Sequence, residues 1–174
     1  MCEEKNQNPS TPQLTSRDLQ LYRVYRVRLY QFLHLFLLYL QVKQDGVVPE
    51  NVMGHGKSEF ATTLQVATLG WLASLVDQHP GALNVFDLWL RLFPARRSEI
   101  EAVRAAIQPH LETLKKFRDE AAFHANKSFE RQSQAYDLVC SPEVSNATVK
   151  FLDLCITMIR EEDSIPALKE QTAR

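Results

Sequence analysis

The chain reads as an all-α helical bundle, and three observations carry that reading. Apolar residues recur at three- and four-residue spacing in every long segment, the alternating pattern of a half-buried strand occurs nowhere, and helix start and stop signals bracket the periodic runs. With 174 residues and a hydrophobic fraction of 45%, one domain can bury roughly 70% of its extended surface without disulfides or metal. The segments divide into about five to seven helices, long enough for antiparallel packing at shallow angles.

Residues 1–14, rich in Asn, Gln, Pro, Ser and Thr, read as a disordered tail. The helical domain is expected over 15–162, with a C-terminal tail over 163–174. A first long helix starts near Ser16, carries Asp18 in its first turn and runs to about Gln44, where Asp45-Gly46 stops it. Its most apolar part, Leu29–Val42, includes Gln31, His34 and Gln41 and is short of the about 20 residues a membrane span needs. No membrane partner is expected. The apolar breadth of Leu29–Leu40 exceeds what one globular face requires, which predicts a two-fold dimer.

The second helix covers about Ser58 to Gln78, on the spacing of Phe60, Leu64, Ala67, Trp71, Leu72 and Leu75, and His79-Pro80-Gly81 ends it. A short third helix, Val85–Phe93, has Asn84 as its cap. Ser98-x-x-Glu101 has capping-box spacing and opens a helix predicted to reach Asn126, kinked at Pro109. Phe129–Leu138 is predicted as another short helix. Ser141-Pro142-Glu143 starts the last one, with proline at its first position, and it ends near Glu161. Leu33, Leu37, Trp71, Leu75, Leu114 and Phe151 are the predicted core.

A net charge of −1 supplies no global field for nucleic acid, so any such binding needs a local patch. Cys2, Cys140 and Cys155 are odd in number and fit no metal-ligand spacing. Together with an N-terminus that lacks an apolar signal region, they point to a reducing, cytoplasmic setting. Gly54-His55-Gly56-Lys57-Ser58 resembles the end of a phosphate loop, but Asn51 stands where that motif has glycine and no strand precedes it. It reads as a loop and helix start. His34, His55, His79 and His110 form no His-x-x-x-His pair, so no metal site is expected; His34 reads as a core or interface residue.

An arginine and a histidine six residues apart occur as Arg28/His34, Arg104/His110 and Arg118/His124, and context separates them. At about 100° per residue, Leu111, Leu114, Phe117, Ala121 and Ala125 form one stripe with Arg118 inside it. A charge in a core stripe needs an anionic partner or an open site. Histidine moves protons near neutral pH, and a guanidinium holds phosphoryl oxygens with two donors. On a regular helix His124 lies about 120° from Arg118, so a bulge, a tightened turn or a second copy must bring them together.

Arg118-Asp119-Glu120-Ala121-Ala122-Phe123-His124-Ala125-Asn126-Lys127 resembles the motif of the HEPN superfamily, and its abortive-infection U branch in particular. Arg118, Asp119 and His124 match, while Glu120 replaces a frequent lysine and Phe123 a frequent alanine. The likeness covers roughly residues 15–160 in helix order, although only these ten residues are specific. It implies a HEPN-like dimeric bundle with both motifs near the axis, acting without metal or other cofactor as an endoribonuclease in a toxin or abortive-infection role. His124 would be acid or base, Arg118 would hold the phosphate, Asp119 would orient one of the two, and Asn126 and Lys127 would contact RNA. An antitoxin protein is the implied further partner. Two alternatives stay open: a non-catalytic module that binds a nucleotide or protein, and an Arg118 that merely pairs with a carboxylate such as Asp77 or Asp153.

Overall fold

A computed structural model describes residues 15–45, 56–79, 84–119, 134, 137, 141–165 and 168. Among them every regular element is helical and there is no strand. The helices are α1 (Ser16–Asp45), α2 (Gly56–Leu75), α3 (Val85–Leu92), α4 (Arg97–Ile107), α5 (Leu111–Phe117) and α6 (Pro142–Glu161). The expected 1–14 tail, residues 46–55 and nearly all of the expected helix over 129–138 lie outside the described residues; Gln134 and Asp137 are helical. Of the expected 163–174 tail only Asp163, Ser164, Ile165 and Leu168 are described: Asp163 and Ser164 belong to a 3₁₀ turn after α6, and Leu168 is buried in the core.

Local chemistry sets the boundaries. Thr15 Oγ1 accepts the Asp18 N–H at 3.1 Å and Asp18 Oδ2 accepts the Thr15 N–H at 3.3 Å, a reciprocal cap that opens α1. Asn84 caps α3 as expected: its Oδ1 accepts the Phe86 N–H at 2.9 Å, while its Nδ2 donates to Val76 O at 3.0 Å. One buried side chain thus closes α2 and opens α3. Ser141 Oγ accepts the Val144 N–H at 3.3 Å ahead of Pro142.

The Ser98–Glu101 capping box does not form. Pro94 starts a 3₁₀ turn over Pro94–Arg96 and α4 is already helical at Arg97, so Ser98 lies inside the helix instead of capping it. The kink at Pro109 is present as a 3₁₀ turn, Gln108–His110, between α4 and α5. Proline has no N–H to donate, and its ring crowds the preceding turn. Counted as one bent rod, α4 and α5 leave five extended helices among the described residues.

The core gathers Tyr22, Tyr25, Leu29, Phe32 and Phe36 of α1 against α2, α3 and α6. Phe151 is fully buried at its centre, with ring centroids 5.4 Å from Phe32 and 5.7 Å from both Phe86 and Trp89. Of the predicted core residues, Leu33, Leu75, Leu114 and Phe151 are buried and Trp71 is partly so. Leu37 is 52% exposed. It lies about 95° from the centre of the Tyr22–Phe36 stripe, and apolar residues on both sides of α1 hid which face was inward.

Phe36–Lys43 near the end of α1 share a pocket with Gln65–Leu69 of α2 and Ser145–Val149 of α6; Asp77, just beyond α2, acts electrostatically on Tyr25, and Glu162, just beyond α6, meets Tyr22 and Arg26 near the start of α1. Both neighbours therefore run antiparallel to α1. No helix of the described residues is long and apolar enough to cross a membrane.

Candidate functional site

α5 presents Leu114 and Phe117 to the core, and the next residue, Arg118, emerges at the edge of that face. Arg118 and Asp119 form a widened, π-type turn, a departure from the regular helix that often marks functional positions. Such a bulge is one of the devices the Arg118–His124 spacing calls for.

Arg118 is half-buried and doubly engaged. Its Nη1 donates to Asp77 Oδ2 at 2.5 Å and its Nε to Asp119 Oδ1 at 2.9 Å. Among the described residues Nη2 has no partner. The Asp119 and Asp77 bonds hold the guanidinium charged, against the effect of burial. Burial alone would raise the Asp77 carboxyl; the Arg118 bond, the His79 backbone N–H at 2.9 Å and the Arg118 charge outweigh it and hold the group below the ordinary carboxylate range. This is the carboxylate pairing foreseen for Arg118, with Asp77 and not Asp153 as partner.

The pair stands at a cleft of about 600 Å³ between the end of α2 and α5. Asp77, His79, Gln108, Glu112, Lys115 and Arg118 supply its polar lining over a floor of Ala73, Val76 and Leu114. Gln78 Nε2 donates to Gln108 Oε1 at 2.8 Å and ties the end of α2 to the Pro109 turn. The two fixed cations face two carboxylates, so an anion entering the cleft competes with Asp77 for Arg118. A phosphate entering here would exchange partners with Asp77 and would not meet an open positive patch.

The structure thus brings Asp119 against Arg118, which lines this cleft, while His124, Asn126 and Lys127 lie outside the described residues. His79, Gln108 and Lys115 went unread as site residues. Lys115 stands three positions before Arg118, a spacing that puts two cations on one helix face. For His79 the only signal was a polar Asp-x-His just beyond the end of α2. The other histidine pairs gain nothing: His34 is exposed on α1 and His110 is half-buried in the Pro109 turn. Among the described residues no cluster of His, Cys, Asp and Glu could hold a metal ion.

No family model, curated protein or solved structure matches this chain.

Proposed function

We propose that this chain is a HEPN-type, metal-independent endoribonuclease of the toxin or abortive-infection kind. The observation that carries the reading is the placement of Arg118. It sits at a π-type turn on the lip of an open cleft, oriented by Asp119, with one guanidinium nitrogen uncommitted among the described residues. In this mechanism His124 takes the proton from a ribose 2′-hydroxyl. The oxygen attacks the adjacent phosphorus, and Arg118 holds the non-bridging oxygens as their negative charge grows. The P–O5′ bond breaks and O5′ is protonated, leaving a 2′,3′-cyclic phosphate and a 5′-hydroxyl end. Asn126 and Lys127 hold the RNA backbone. A homodimer and an antitoxin protein belong to the same reading.

A specific contact favours a second reading. The Arg118–Asp77 pair joins the end of α2 to α5, as a purely structural latch would, without any catalysis. One assay separates the two: wild type, His124→Ala and Arg118→Ala incubated with RNA in EDTA. Ribonuclease action predicts cleavage by wild type and a loss of roughly two to four orders of magnitude in His124→Ala at unchanged helical content. The latch predicts intact RNA throughout, with Arg118→Ala lowering the melting temperature.

A further inference from the structure

Cleavage of RNA by its own 2′-hydroxyl moves two protons. In the ribonuclease reading His124 takes the first from the attacking oxygen. A second must reach O5′ as the P–O5′ bond breaks, because an alkoxide leaves poorly. The attacking and leaving oxygens lie roughly in line on opposite sides of the phosphorus, so the second transfer calls for a separate acid on the leaving side.

His79 is the one histidine among the described residues that lines the Arg118 cleft. Its backbone N–H donates to Asp77 Oδ1 at 2.9 Å, while Arg118 Nη1 donates to Asp77 Oδ2 at 2.5 Å. The two oxygens of one carboxylate therefore fix the root of the imidazole side chain relative to the guanidinium. Burial raises the Asp77 carboxyl, and the Arg118 bond, the His79 backbone bond and the charges of both side chains lower it. The imidazole thus stands within electrostatic reach of the group that bonds Arg118. His79 is also exposed, so it can meet a bound substrate and regain a proton from water.

We propose that His79 is the general acid of this site, giving an imidazolium proton to O5′ while Arg118 holds the non-bridging oxygens. The inference rests on the ribonuclease reading and supplies its second proton. The 2′-hydroxyl proton passes to His124, O2′ bonds phosphorus, the electron pair of the P–O5′ bond goes to O5′, and the His79 proton completes the 5′-hydroxyl. Exchange with water then returns both histidines to their starting states. Side-chain type selects His79 from the other polar groups of the cleft. Guanidinium and ammonium groups hold their protons too tightly at neutral pH, and carboxyl groups of ordinary acidity have already lost theirs. Imidazole both carries a proton and releases it there.

The test compares two substrates in EDTA: a random-sequence oligoribonucleotide, and the same oligoribonucleotide with sulfur in place of one bridging O5′. A thiolate leaves without a proton, so the sulfur-linked bond needs the base but no acid. His79→Ala should cut the all-oxygen RNA roughly two to four orders of magnitude more slowly than wild type, yet cut the sulfur-linked bond within a few-fold of wild type. His124→Ala should be slow on both. Helical content should not change, since His79 is exposed and its backbone bond to Asp77 survives substitution; His79→Gln takes the place of the alanine variant should that one lose helicity. A His79→Ala as fast as wild type on the all-oxygen RNA, or equally slow on both substrates, overturns the proposal and leaves the ribonuclease reading standing. Wild type that leaves the all-oxygen RNA intact ends that reading and this proposal with it.

Discussion

Arg118 shows how one residue can be legible in type and incomplete in detail. A guanidinium inside an apolar helical stripe announces that a partner exists, because leaving the charge unpaired would cost several kcal/mol. The partner itself, Asp77, lies 41 positions away and depends on how α2 packs against α5, which no local pattern encodes. At this scale Asp77→Asn should lower the melting temperature by roughly 2–4 °C, the effect of about 1 kcal/mol in a chain of this size. In the ribonuclease reading it should also strengthen RNA binding, since the carboxylate competing for Arg118 is gone. A thermal melt and a binding titration on the same preparation check both directions. Glu162 gives the opposite electrostatic case. Burial pushes its carboxyl up, and the Tyr22 hydroxyl and the Arg26 guanidinium only partly offset this. A raised carboxyl stabilises the fold fully below the unfolded value of 4.5 and loses that contribution as pH rises through the folded value. Asp77 and Asp18 are lowered, so their contribution is present above 3.8 and disappears as pH falls. Glu162→Gln should therefore gain stability relative to wild type between pH 4 and pH 7, as read by melts at both. A gap that narrows with pH would contradict the assignment.

Helix boundaries were legible because they are written in short-range chemistry. Asn84, Pro109 and the Ser141-Pro142 start each act within a few residues, and each does what its type predicts. Ser98 was misread because Pro94, four residues earlier, had already started the turn. The inward face of α1 was less legible, since a helix that is apolar on two sides has no single stripe to read, and Leu37 fell on the wrong one. Two substitutions measure these local terms. Asn84→Ala removes a cap and also strands the buried Val76 carbonyl, so it should cost about 2 kcal/mol or more, beyond the roughly 1 kcal/mol of an ordinary cap. Ser141→Ala should show only that ordinary value. Phe151→Ala empties the centre of the aromatic cluster and should cost about 3–5 kcal/mol. Chemical denaturation of the three variants gives the ranking, and an Asn84→Ala no worse than Ser141→Ala would sink the two-ended role of Asn84.

Over the whole molecule, helical periodicity fixed the class of fold, and the antiparallel packing of α2 and α6 on α1 follows from caps, turns and a shared aromatic centre. What a sequence does not show is which distant polar groups the packing brings to one place. Lys115 shares a face of α5 with Arg118, but Asp77 and His79 reach the same cleft only because α2 ends opposite the Pro109 turn. Burial pushes the Cys155 thiol well up, so it should resist alkylation until the bundle unfolds. In the proposed ribonuclease, the ends of the cleaved RNA report the chemistry at Arg118 and His124. The proposed ribonuclease uses a neighbouring ribose oxygen as nucleophile, so fragments produced by wild type in EDTA should carry 2′,3′-cyclic phosphate and 5′-hydroxyl ends. Intact RNA, a requirement for added metal, or 3′-hydroxyl and 5′-phosphate ends would contradict the account.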